Sequence, residues 1–300
     1  MSDVPRDELT RLSDALAARA AAALRHVAEL RAAGGPPLTA TLWRAGVAVA
    51  SDQCFPKATD AELVLPDGRS LAARIAGRDP STNVVALRFE DGTGLSAPPA
   101  EPRLGALALL LAAGGAGTPA VRLAILRSVG PAWHSRLGGR IDRRIVLDLR
   151  LPGREEGGPL FDAAGGLLGM STAGPRGCAL VIPATTIDRV LVPLLASGRI
   201  DRGWLGAALH PVALPTEIAG EIGLDRGLMV LRLDPDGPAA RAGVIAGDIL
   251  VRVGDVPAQH PGEIGRRLGP ESVGHSLALQ VVRAGAPLSL AATITARPAP

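Results

Sequence analysis

Three hundred residues, 47% of them hydrophobic, with 20% charged and a formal charge of only +3, suffice for two packed domains and a small extra element, which excludes a disordered chain. The arginines are scattered singly and there are three Phe, three Trp and no Tyr, so neither the basic stripe nor the stacking platform of a nucleic-acid binder is present. The two cysteines, Cys54 and Cys178, and the five histidines show no metal-ligand spacing, so no metal, cofactor or disulfide framework is expected.

At the start of the chain, Asp3, Asp7 and Glu8 stand where an export signal carries positive charge, and Arg19 interrupts the Ala-Leu stretch. As written the chain is expected in the cytoplasm, and in the periplasm if the true start lies upstream. Leu9, Leu12, Leu16, Ala20, Leu24 and Val27 recur at helical spacing, which predicts one amphipathic helix from about Arg6 to Arg31, its stripe packed on its own protein or on a sister subunit. Gly34-Gly35-Pro36-Pro37 breaks the chain. From Leu38 to about Ile187, β-prone runs (Thr39–Trp43, Val47–Ala50, Glu62–Leu65, Leu71–Ile75, Val84–Phe89) alternate with Gly, Pro and Asp turns, the pattern of a barrel or sandwich. Asp67-Gly68 marks a hairpin and Pro98-Pro99-Ala100-Glu101-Pro102 divides the region in two. The apolar run Leu104–Gly117 is broken by glycines and shorter than the roughly 20 residues of a membrane span, so it reads as a buried strand with its turn. A second helix over Ala184–Ala196 leads through Ser197-Gly198-Arg199 to a last domain.

Two motifs carry a resemblance. Gly157-Gly158-Pro159-Leu160-Phe161-Asp162 with Gly165-Gly166-Leu167-Leu168-Gly169-Met170 resembles the nucleophile loop of a trypsin-like serine protease. Gly237-Pro238-Ala239-Ala240-Arg241-Ala242-Gly243-Val244, Gly247-Asp248-Ile249-Leu250 and Gly254-Asp255 resemble a PDZ domain, whose carboxylate-binding loop is matched by Trp204-Leu205-Gly206-Ala207. Together they resemble the HtrA/Deg family from about residue 8 onward. The resemblance implies a mainly β chain: an N-terminal helix (1–35), a trypsin-like double β-barrel (36–198) and a PDZ domain (199–300). It also implies a bacterial protein of protein quality control.

By the same resemblance the catalytic histidine falls at Gln53, the aspartate at Asn83 and the serine at Glu156. Gln53 has no titratable nitrogen, Asn83 cannot stabilise an imidazolium, and a carboxylate is no substitute for a serine alkoxide. No histidine lies between His26 and His134, so no shift of register supplies the base. The turn Pro152-Gly153-Arg154-Glu155-Glu156 is one residue longer than the family's, which misplaces the oxyanion donors, and Glu155 and Arg154 read as solvated charges. Cys54, beside Gln53 without a basic partner, reads as a small core residue. The expectation is an inactive HtrA-like protein that binds C-terminal or unfolded peptide segments at Trp204–Ala207, with Ile264 and Leu268 on a helix over 262–268 lining the pocket for the last side chain. The alternatives are an active serine endopeptidase or chaperone-protease, and a subunit that assembles with itself or with an active homologue and modulates it. Nucleic acid and a membrane span are not expected.

Overall fold

A computed structural model of the chain describes residues 6–95, 97–114 and 118–298. It divides into two compact units, Met1–Trp133 with Arg140–Arg199, and His134–Gly139 with Ile200–Pro300.

Helix α1 spans Arg6–Leu24, with Asp7 and Glu8 in its first turn and an Asp7–Arg11 ion pair one turn apart. It ends seven residues earlier than the periodicity predicts. Residues Val27–Ala32 form strand β1 instead, because Ala28 and Leu30 fill the barrel core while the backbone pairs on both sides, with β2 (Leu38–Arg44) and β4 (Asp60–Val64). Two ladders and a buried face outweigh the propensity of an alanine-rich helix. The first barrel thus begins at residue 27, inside the segment assigned from sequence to the helix. Of the predicted apolar stripe, Ala20 is buried and Leu16 and Leu24 are half-buried, whereas Leu9 and Leu12 are exposed.

Strands β3 (Val47–Ser51), β5 (Ser70–Asp79) and β6 (Val84–Phe89) complete a closed barrel in the order β1-β2-β3-β6-β5-β4 around Leu30, Leu42, Leu63 and Leu87. The Asp67-Gly68 hairpin forms as expected, Gly68 supplying the positive φ of +85° that the turn requires. Past the Pro98–Pro102 divider, β7 (Leu107–Ala113) and β8 (Pro119–Gly130) lead to the short hairpin of β9 (Trp133–His134) and β10 (Arg140–Ile141), and then to β11 (Arg144–Arg150), β12 (Pro159–Asp162), β13 (Leu167–Ala173) and β14 (Cys178–Pro183). A second barrel closes in the order β11-β14-β13-β12-β7-β8 around Leu110, Leu126, Leu147 and Leu160. Helix α2 (Ala184–Ser197) follows and stops at Gly198, which adopts a left-handed φ of +77°.

In the second unit, β15 (Gly203–Trp204) pairs with β22 (Thr295–Ala296). The main sheet runs β16 (Ala207–Ala213), β17 (Arg226–Leu233), β18 (Ile249–Val253), β20 (Ser276–Arg283), β21 (Ala286–Thr293), with β19 (Val256–Pro257) on β18. Three short helices accompany it: α3 (Thr216–Ile222), α4 (Pro238–Arg241) and α5 (Pro261–Arg267). Strand β16 is therefore an edge, paired on one side only. Among the described residues no helix is long and apolar enough to cross a membrane.

Candidate functional site

In the cleft between the two barrels of the first unit, Gln53, Asn83 and Glu156 converge. Gln53 and Asn83 sit in loops that leave β3 and precede β6, while Glu156 ends the short 3-10 turn Gly153–Glu155 ahead of β12. The Glu156 carboxylate is buried, 3% exposed. One oxygen, Oε2, accepts from Gln53 Nε2 at 2.5 Å, Ser51 Oγ at 2.9 Å and Thr172 Oγ1 at 3.1 Å. Asn83 Nδ2 donates to Thr172 Oγ1 at 2.6 Å and to Ser51 Oγ at 2.9 Å, and Asn83 Oδ1 accepts from the Gln53 amide at 2.7 Å. Gln53 Nε2 also reaches the Ala173 carbonyl at 3.0 Å. The three positions named from the sequence are thus one network, and it includes two hydroxyls, Ser51 and Thr172, that sequence reasoning missed. Ser51 lies two residues before Gln53 on the same strand line, a signal that could have found it; Thr172 is brought in by tertiary pairing alone.

The loop around Glu156 is clamped from both sides. Thr39 Oγ1 donates to the Arg154 carbonyl at 2.8 Å, Ser171 Oγ to the Glu155 carbonyl at 3.0 Å and Thr41 Oγ1 to the Gly157 carbonyl at 2.7 Å. The amides of Glu155, Glu156 and Gly157 donate to the carbonyls of Pro152, Gly153 and Ser171 at 2.9, 3.2 and 2.9 Å. The Glu156 N–H, the counterpart of a nucleophile's own oxyanion donor, is therefore engaged within the turn. Gly157 and Gly158 are retained for space: a Cβ would lie 2.3 Å from the Thr39 carbonyl oxygen at Gly157 and 2.0 Å from that of Leu111 at Gly158.

Glu155 corrects the expectation of a solvated charge. It is buried, 3% exposed, and gripped by both Nε and Nη2 of Arg122 from β8, the latter at 2.8 Å. The pairing is a non-local consequence of barrel closure. Arg154 is exposed, as expected. Cys54 is half-buried, and burial followed by the neighbouring Glu156 carboxylate pushes its thiol up to about 12, the opposite of what a nucleophile needs. Arg78 holds the loop after Gln53 by donating to Asp52 Oδ1 at 2.6 Å and to the carbonyls of Pro56 and Phe55 at 3.0 and 3.1 Å. Among the described residues no group of three or more His, Cys, Asp or Glu is placed to hold a metal ion.

In the second unit, the turn Leu205-Gly206 precedes edge strand β16. The Leu205 and Gly206 carbonyls accept from the Ala239 and Asp234 amides at 2.9 and 2.7 Å, whereas their own N–H groups meet no acceptor among the described residues. Gly206 has a φ of +73°, and a Cβ there would lie 2.8 Å from Gly237 Cα. Two adjacent free amides make a small anion-binding nest. A cavity of about 450 Å³ beside it is lined by Trp204, Gly206, Ala207, Ala208, Arg232, Leu233, Asp234 and Pro235. Ile264 and Leu268 do not line that cavity: they lie in the core of the unit, 4% and 8% exposed, packed with Leu205, Leu228 and Val281. Helix α5, about two turns long, turns Ile264 into the core, and Leu268 follows as its C-cap.

Residues 38–170 match the trypsin-like peptidase domain family and residues 229–283 the PDZ domain family. A probable periplasmic serine endoprotease, DegP-like, of Bartonella henselae is 31% identical over 255 residues, 80% of this chain and 49% of the relative. That of Brucella suis biovar 1 is 30% identical over 259 residues, 79% of this chain and 48% of the relative. The chain spans about half the length of these curated relatives. Among solved structures, the HtrA-type protease AlgW with a tripeptide superimposes with a TM-score of 0.70 at 26% identity, covering 94% of this chain and 98% of that one. A serine endoprotease from Yersinia pestis shares the fold with a TM-score of 0.71 at 22% identity, covering 94% and 98%.

Proposed function

We propose that this chain, which belongs to the HtrA family, is a binding protein built on a protease scaffold: it cuts no peptide bond and captures protein chain ends through its PDZ domain. One observation carries the first half. A buried carboxylate stands where the serine hydroxyl is required and is held there by Gln53, Ser51 and Thr172. Acyl transfer needs an alkoxide, a base to form it and free donors for the oxyanion. Gln53 offers an amide that cannot accept the proton, Asn83 offers no charge to an imidazolium, and the Glu156 N–H is bonded to Gly153.

The second half is supported by the free amides of Leu205 and Gly206 beside the open edge of β16. A terminal carboxylate accepts from these amides, and Trp204 and Ala207 frame the loop beside the open edge. Chain ends of proteins in the bacterial envelope are the ligands in this reading, the compartment following from relatives that are named as periplasmic.

The test has two arms on the full chain. Quenched casein stays intact and a fluorophosphonate labels no residue; turnover that survives removal of contaminating proteases overturns inactivity. An apolar peptide with a free C-terminus binds at least about tenfold tighter than its C-terminal amide, the scale of one charge-assisted contact. Equal affinities overturn the reading of chain ends.

A further inference from the structure

The backbone of β16 alternates in a direction that its flanking hydrogen bonds fix. The Gly206 carbonyl accepts from Asp234 at 2.7 Å and the Leu214 amide donates to Asp225 at 2.9 Å, so residues of even number face β17 at both ends of the strand. The register shift between Ala208 and Leu209 is made by an extra residue, Leu231, on β17, leaving the alternation of β16 unbroken. Since the N–H and C=O of one strand residue point to the same side and those of the next to the other, Ala208, His210 and Val212 face β17. Ala207, Leu209 and Pro211 present their backbone to the open edge. Pro211 has no N–H to present.

We propose that Pro211 ends the ladder that a docked tail can form, so that the groove reads only the last four residues of its ligand. This rests on the chain-end reading above. With the carboxylate on Leu205 and Gly206, the last residue of the tail pairs with Ala207 and the third from last with Leu209. The fifth from last meets a pyrrolidine ring in place of a donor. The ligand class follows: a short free C-terminus protruding from a protein that is otherwise folded satisfies every edge donor that precedes Pro211, and a longer segment meets the break in the ladder at that residue. A proline on an edge strand also deters accidental strand pairing, a role that would leave tail length without effect on affinity in either the wild type or a variant.

Peptides of four, six and ten residues, sharing the same last four and ending in a free carboxylate, are titrated onto the full chain and onto Pro211→Ala. In the wild type the three affinities agree within about twofold. In Pro211→Ala the four-residue peptide is unchanged and the longer two bind about 2- to 10-fold tighter, the range of one net hydrogen bond. An affinity that rises about fivefold or more from four to six residues in the wild type overturns the proposal, as does a variant that ignores length. Pro211→Val, which places a strand-favouring β-branched side chain on the edge, replaces the alanine variant if that one fails to fold. Should no peptide bind at all, the chain-end reading fails and takes this proposal with it; binding that strengthens with length sinks this proposal alone.

Discussion

Replacing Gln53 with His, Asn83 with Asp and Glu156 with Ser in one variant restores the side-chain chemistry of a serine hydrolase and leaves the backbone as it is. The backbone then sets the rate. The introduced serine keeps an N–H that donates to the Gly153 carbonyl at 3.2 Å, and the preceding amide donates to Pro152 at 2.9 Å. Rotating the turn to free these donors breaks both bonds and the clamps from Thr39 to Arg154 and Ser171 to Glu155. Four such bonds, at about 0.5–1.5 kcal/mol each, set a remodelling cost of about 2–6 kcal/mol. One oxyanion donor is worth about 10²–10³ in kcat, and the engaged N–H at position 156 removes at least that factor. The variant is therefore expected to turn over a quenched peptide at no more than about 10⁻² of the rate of an active relative. The variant carrying Gln53→His, Asn83→Asp and Glu156→Ala serves as the background. Turnover within about tenfold of the active relative would refute the argument that the loop backbone, and not only its side chains, has left the catalytic geometry.

Arg122→Ala leaves the Glu155 carboxylate buried without its cation, and because the arginine side chain is partly exposed the expected loss is about 2–3 kcal/mol, below the usual cost for a fully buried pair. Chemical denaturation measures it, and a loss under about 0.5 kcal/mol contradicts the pairing. Cys54 stays a thiol far above neutral pH, with its pKa pushed up to about 12. Iodoacetamide is therefore expected to modify it about 10³-fold more slowly at pH 8 in the folded than in the unfolded chain, and equal rates would rule this out. In the PDZ domain, the Arg283 side chain holds the buried Asp248 carboxyl below its ordinary range, against the opposing effect of burial and with help from the Ile245 amide. A depressed folded value means that this stabilisation is complete above about pH 4 and is lost as the pH falls further. Asp248→Asn should lower stability at neutral pH and flatten the acid limb of the unfolding curve, and an unchanged acid limb would remove Asp248 from the account.

The two barrels and the last domain were legible because their signals are local: Asp67-Gly68 needs only a positive φ, and the Gly237–Val244 run needs only small residues in a tight turn. The meeting of Gln53, Asn83 and Glu156 was legible because a family pattern supplied the long-range alignment that spacing cannot. The end of α1 was not. Val27 and Leu24 continue a helical stripe as well as Val27 and Leu30 begin a buried strand, and only the partners of β1, Leu38 to Thr41 and Ala61 to Val64, decide between them. Glu155 was misread for a related reason, since its partner Arg122 lies 33 residues away on another strand. Ile264 lies on α5 as expected and Leu268 caps its C-terminal end, but which way so short a helix turns its apolar residues depends on the sheet beneath it.

The collision distances at Gly157 and Gly158 separate two kinds of constraint that sit side by side in one motif. Positions 53, 83 and 156 project side chains into a cleft, where they meet mainly other side chains. A methyl group at 157 or 158 must displace the backbone of β2 or β7, and with it a barrel wall. Random substitution filtered only for folding would therefore erase the nucleophile and its partners while sparing the glycines next to them. A Gly-Gly-Pro signature in a chain of this fold records how closely its loop lies against one strand of each barrel and is silent on whether a bond is ever cut beside it.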